Sequence, residues 1–153
     1  MASAVLVERD VSDGELLLRR LDAAGFPVRA AFWSYSPETE SWALVIASSL
    51  VRERGPAVAY DRLIDVMRGT RKGTLELTSD RIELAKDTDP RVVSLSQAVS
   101  MNDKARPIRL TNGMFNNLYV HDLLILRLRP GPEPGQPTHR PLGARRTKRS
   151  LAR

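Results

Sequence analysis

At 153 residues, 42% hydrophobic and 27% charged, the chain has the size and balance of one globular domain that buries its own core. It contains no cysteine, which excludes disulfides, thiolate metal sites and cysteine nucleophiles and fits a reducing cytoplasm. Its net charge of +6 is uneven: residues 127–153 carry eight basic side chains against Glu133 alone, a net +7, and leave residues 1–126 at −1. The excess charge therefore belongs to the C-terminal end and is no argument for a basic face on the folded body.

The opening run MASAVLVERD has no basic region and only a short apolar stretch, so no signal peptide is expected. No run approaches the 18 or so apolar residues of a membrane span, and no membrane insertion is expected. In VSDGELLLRRLDAAGF, Ser12 and Glu15 have capping-box spacing, Leu17, Leu18 and Leu21 recur at helical spacing, and Gly25 suits a left-handed stop. The spacing predicts a helix. VRAAFWSY and WALVIAS then read as two strands, joined through SPETES as an antiparallel hairpin. GPAVAYDRLIDVMRG predicts a second helix with Pro56 in its first turn and Tyr60, Leu63, Ile64 and Met67 on one stripe.

TLELTS and IELAK alternate as short strands separated by a tight turn at Ser79-Asp80. DPRVVSLSQAVS predicts a third helix, with Asp89 as its N-cap and Pro90 at its first position. PIRLT and LYVHDLLILRL read as two strands joined through NGMFNN; the second is apolar enough for a central strand and long enough for a bend at His121-Asp122. The predicted architecture is one α+β domain over residues 1–129, a mainly antiparallel sheet with two or three helices packed on it. Residues 130–153 hold five of the ten prolines and almost nothing to bury, which predicts a disordered tail.

Candidate chemistry is sparse. The two histidines, His121 and His139, fall short of a zinc set, and adjacent strand residues such as His121 and Asp122 point to opposite faces. Asp61 and Asp65, with Glu76, Asp80, Glu83, Asp87 and Asp89, leave open a carboxylate metal site of a hydrolase or nuclease. Glu83 and Lys86 are three apart, however, so a strand places them on opposite faces and not together as an acid-x-Lys nuclease strand requires. GTRKGT lacks the register of a phosphate loop, no dinucleotide fingerprint occurs, and the sequence calls for no cofactor.

Two candidates remain. The basic run RRTKRS makes Arg145, Arg146, Lys148 and Arg149 contacts for nucleic acid or an acidic partner. In FWSYSPETESW, alternation puts Trp33 and Tyr35 on one face and Phe32 on the other, the latter being the face expected under the helices. Trp33, Tyr35 and Trp42 are then either core or a ligand or partner surface.

The run AAFWSYSPETESWALVIASSLV, with the helix before it, resembles the opening of small-molecule sensor domains of the GAF type over residues 12–51. It also resembles small bacterial proteins of no assigned activity. The first resemblance implies a ligand held against the hairpin and transfers no particular residue. The leading expectation is a non-enzymatic interaction module with a basic tail; a sensor-like ligand-binding domain and a metal-dependent hydrolase are the alternatives.

Overall fold

The computed structural model describes residues 5–70, 74–101 and 106–130. The chain runs α1 (Glu8–Ala23), β1 (Ala30–Ser36), β2 (Ser41–Ser48), α2 (Ser49–Arg54), α3 (Pro56–Arg68), a 3-10 turn at Ser79–Arg81, β3 (Ile82–Lys86), α4 (Pro90–Ala98), β4 (Ile108–Phe115) and β5 (Leu118–Leu128). It is an α+β fold around one five-stranded sheet in the order β3-β2-β1-β5-β4. Only β2 and β3 run parallel; β1 with β2, β1 with β5, and β4 with β5 are antiparallel.

Both faces of the sheet are covered. Leu17, Leu18 and Leu21 of α1 and Ala59 and Leu63 of α3 pack on Ala31, Trp33, Trp42, Leu44 and Ile46. Val92 and Leu95 of α4 pack on the other face, against Ala30, Phe32, Val45 and Ile125. Phe32 does lie under a helix as expected, but its face is not the only one so covered. Trp33 lies under α1 and α3, and Phe32 under α4. β1 is the middle strand, and a strand covered on both sides shows too little polar alternation for its two faces to be told apart.

Local chemistry explains most boundaries. α1 begins earlier than the Ser12–Glu15 spacing predicts, because the Asp10 carboxylate accepts the Val7 amide at 3.3 Å, with Val7 the N-cap and Asp10 at N3 where Ser12 and Glu15 were expected. Ser12 falls inside the helix and donates its hydroxyl to the Glu8 carbonyl at 3.0 Å. Gly25, at φ +78°, ends this segment in the left-handed region where a side chain would be strained. α2 is an addition to the predicted elements: the buried Ser48 hydroxyl accepts the Leu50 amide at 3.1 Å and starts a six-residue helix directly from the strand end. α4 begins as predicted, with the Asp89 carboxylate accepting the Arg91 amide at 2.9 Å and Pro90 in the first turn.

TLELTS is not a strand. The Asp13 carboxylate, on α1, accepts the Glu76 amide at 2.9 Å and the Leu77 amide at 3.1 Å through one oxygen, while its other oxygen takes the Arg9 Nε–H at 2.9 Å. The amides that a strand would give to a neighbour are given to a helix side chain. This seats Leu77 in the core beside β3. The outer edge of β3 is closed in a related way. The Tyr60 hydroxyl on α3 donates to the Ile82 carbonyl at 3.2 Å and accepts the Leu84 amide at 3.1 Å, standing in for a further strand.

The β4–β5 connection is tighter than NGMFNN suggests. β4 continues to Phe115, and the loop is Asn116-Asn117 alone, with φ of 50° and 72°, the sign a type I′ hairpin demands at both positions. The Asn116 amide donates to the Gln97 side chain and ties this turn to α4. Asn112, at φ 44°, sits opposite His121, where the hairpin was expected to bend. Leu118 and Val120 consequently join the same apolar cluster as Leu123 and Ile125, although strict alternation across 120 to 123 would separate them. A bulge follows: Ala31 faces Arg127 and Phe32 faces Ile125, so Leu126 is extra. It turns Leu126 toward Gly14 of α1 and lets Arg127 pair with Asp22, also on α1, at 2.7 Å.

Candidate functional site

The hairpin aromatics come first. Trp33 is 0% and Trp42 5% exposed, and both belong to the core under α1 and α3, with Tyr35 half-buried at its margin. Tyr35 and Trp42 are direct cross-strand partners with ring centroids 5.5 Å apart, tilted by 57°. The Arg81 guanidinium lies 4.9 Å over the Trp33 ring, and that of Arg109 lies 5.6 Å over Trp42. Trp33 and Trp42 therefore offer no open platform; cations and helices cover them.

The carboxylates do not converge. Asp61 and Asp65 are exposed on α3, and Glu83 is bound by Arg91 at 2.6 Å. Glu76 lies 3.7 Å from Arg9, and Asp122 is held by Arg109 through two contacts of 2.7 Å. The hydrogen bonds that Arg109 donates to Asp122 raise its pKa above the ordinary value, and those that Arg91 donates to Asp89 and Glu83 do the same for Arg91. His121 meets the edge of the Tyr119 ring at 4.8 Å, beside no metal-binding set. Among the described residues, no group of three or more His, Asp or Glu is placed to hold a metal ion. None of their helices is long and apolar enough to cross a membrane. Arg145, Arg146, Lys148 and Arg149, with the rest of the expected tail past Pro130, lie outside the described residues.

The structure brings a different set together at the opposite end of the sheet from the SPETES turn. Here β1 begins and β2, β3 and β5 end, and α4 finishes nearby. Arg29 is anchored on three sides. Its Nε–H donates to the Arg129 carbonyl at 3.0 Å, Nη1 to the Asp87 carbonyl at 2.6 Å, and Nη2 to the Ser96 hydroxyl at 3.2 Å. The Arg129 amide returns a bond to the Arg29 carbonyl at 2.8 Å, carrying the β1–β5 ladder one pair past its last strand residues. The Asp87 carboxylate, 4% exposed, is clasped by Arg52 at 2.7 and 3.0 Å. Those bonds raise the Arg52 pKa above its ordinary value, against a smaller opposing effect of burial.

Two hollows flank this arginine pair and share Arg29, Arg129 and Pro130 as a common wall. One, of about 190 Å³, adds Ser96, Ser100 and Met101; the other, of about 250 Å³, adds Pro27, Ser49 and Asp87. Sequence reasoning did not find this set. Arg29 and Arg129 are 100 residues apart, and the only local signal was an arginine at the mouth of an otherwise apolar strand. The Ser96 hydroxyl, which accepts from Arg29, donates in turn to the Val92 carbonyl at 2.8 Å, so these side chains are bonded into the end of the sheet and α4.

Compared with known proteins, the chain matches no family model, no curated protein and no solved structure.

Proposed function

We propose that the chain is a non-enzymatic interaction module whose C-terminal segment contacts a polyanion, with nucleic acid the form favoured. The observation that carries this reading is the segregation of charge, +5 over residues 131–153 against +1 over the far longer remainder. The ion pairing of the folded body supports it. Arg9, Arg52, Arg81, Arg91, Arg109 and Arg127 each pair with an Asp or Glu, so these body cations are compensated within the fold. The segment after Pro130 has Glu133 as its sole acid and cannot balance its own arginines and lysine. A cytoplasmic setting, where polyanions are abundant, belongs to the same proposal.

The test is fluorescence anisotropy of a labelled single-stranded oligonucleotide with the full chain and with a variant in which Arg145, Arg146, Lys148 and Arg149 are all glutamine. Neutralising four contacts should lower the magnitude of the slope of log K against log salt by about three. Equal affinity and equal slope in the two proteins would remove the tail from the reading. Capture of polyglutamate with no oligonucleotide binding would replace nucleic acid by an acidic protein surface.

A further inference from the structure

We infer that Asn112 is a site of self-catalysed backbone modification, its carboxamide being displaced by the Gly113 amide nitrogen to leave aspartate or isoaspartate in β4. The site lies in the folded domain and stands apart from the basic tail.

The reaction needs an asparagine whose following residue has no side chain to shield its nitrogen, and the sequence offers that pair once. Asn102 is followed by Asp103, Asn116 by Asn117 and Asn117 by Leu118. The Gly113 nitrogen attacks the Asn112 Cγ. The new N–C bond closes a succinimide ring, the Cγ–Nδ2 bond breaks, and ammonia leaves with the amide proton. Water then opens the ring. Attack at Cγ returns an aspartate, and attack at the main-chain carbonyl routes the chain through Cβ and Cγ as isoaspartate. Water is the sole co-reactant.

A strand ordinarily suppresses this chemistry by fixing the backbone dihedrals on either side of the attacking nitrogen. Here the fold leaves the pair open in three respects. The β4–β5 ladder holds at Thr111 with Asp122 and again at Gly113 with Val120, but the pair between them, Asn112 with His121, is absent. Asn112 stands at φ 44°, outside strand geometry, so the pleat does not fix the rotation that brings its Cγ to the nitrogen. Its side chain is exposed on the outermost strand and has no hydrogen-bond partner among the described residues, whereas the Asn116 amide is tied to Gln97.

The two products act differently. Aspartate keeps the register and adds a negative charge opposite His121, next to the exposed pair Met114 and Tyr119. Isoaspartate inserts a methylene into the β4 backbone between Thr111 and Gly113, which pulls Met114 and Phe115 out of register with Tyr119 and Leu118. Phe115 and Leu118 pack against the cluster under α4, so this product loosens the end of the hairpin.

The experiment follows the full chain at mildly alkaline pH, folded in buffer and unfolded in urea, by peptide mapping with tandem mass spectrometry. Chromatography resolves the aspartate and isoaspartate peptides. Conversion that waits on global unfolding is slower in the folded chain by at least about a thousandfold, whereas local opening costs far less. Asn112 is expected to convert before Asn116 and Asn117, at a folded rate within about a hundredfold of its rate in urea. A folded rate slower than that, or earlier conversion at Asn116 or Asn117, would overturn the site. Asn112→Gln, whose longer side chain closes a larger ring far more slowly, should abolish the product at this position. Undiminished conversion there would overturn the ring chemistry. In the aged chain, the isoaspartate fraction should lose hydrogen-exchange protection at Leu118 and Val120 while Asn112→Asp retains it, and equal protection in the two would overturn the register shift.

Discussion

Gly14 of α1 lies directly against the indole nitrogen of Trp33: a Cβ built on Gly14 would sit 3.1 Å from Nε1 and 2.9 Å from the Leu126 Cδ1. Trp33 is fully buried, and its Nε1 has no hydrogen-bond partner among the described residues. The helix approaches the sheet this closely because one of its residues has no side chain. The contact also shuts out an acceptor that could have satisfied the indole.

Gly14→Ala should therefore destabilise the protein, although alanine is the better helix former by about 1 kcal/mol. Leu126 can swing its methyl aside, but Trp33 is enclosed on all sides, and overpacking of this kind costs about 1–3 kcal/mol. A net loss of about 1 kcal/mol is expected in urea melts. In a Trp33→Phe background, which removes the Nε1 atom, the same substitution should cost nothing or stabilise. An equal cost in both backgrounds would place the obstacle elsewhere.

Asp13→Ala removes the acceptor of two backbone amides that have already left the sheet. Stranding the Glu76 and Leu77 amides should lower stability by about 3 kcal/mol. Hydrogen exchange provides the direct check. Both amides should lose protection together, with the Leu84 amide, held by Tyr60, changing only as much as global stability does.

Arg52 and Asp87 should respond unequally to truncation. The Asp87 side chain is 4% exposed and that of Arg52 24%, so removing the arginine strands the more deeply buried charge. Arg52→Met is expected to cost about 3–5 kcal/mol, and Asp87→Ala about 2 kcal/mol because the freed guanidinium can reach water. Thermal melts of the two variants and of the double variant measure both the order and the coupling.

Acid should act through the α4 cap. Burial works to raise the Asp89 pKa, but hydrogen bonds from the Arg91 side chain and amide outweigh it and hold the carboxyl below its ordinary value. A depressed folded-state pKa stabilises above the unfolded value of about 3.9, and that stabilisation is lost as pH falls through the lower folded value. Asp89→Asn keeps a capping oxygen and does not titrate. It should be about 1 kcal/mol less stable than the parent at pH 6, the ion pair with Arg91 being partly exposed to solvent. The gap should close by about pH 2; a constant gap would separate Asp89 from the acid response.

What the sequence made legible was local. Asp89-Pro90, Gly25 and the β1–β2 hairpin are written in residues within a few positions of one another, and each appears where those residues put it. Ser49–Arg54 was missed because six residues show less than two turns of periodicity, leaving only Ser48 to announce a helix. TLELTS was misread because the partner of its amides, Asp13, lies more than sixty residues away on a helix. The same reason hid the cluster at the end of the sheet, whose two arginines meet only after the whole sheet has closed. FWSYSPETESW drew attention because its aromatics are large, and size is what placed Trp33 and Trp42 inside.

The phenol of Tyr60 occupies the backbone positions at Ile82 and Leu84 that a neighbouring strand would use, whereas β4 ends the sheet on the other side. A sheet with one blocked margin can recruit a strand in a single direction. Two copies meeting there would join margin to margin about a two-fold axis and have nothing left to offer a third. Any pairing of copies edge to edge would thereby stop at two, and Tyr60→Phe, by freeing the Ile82 carbonyl and the Leu84 amide, would remove that stop.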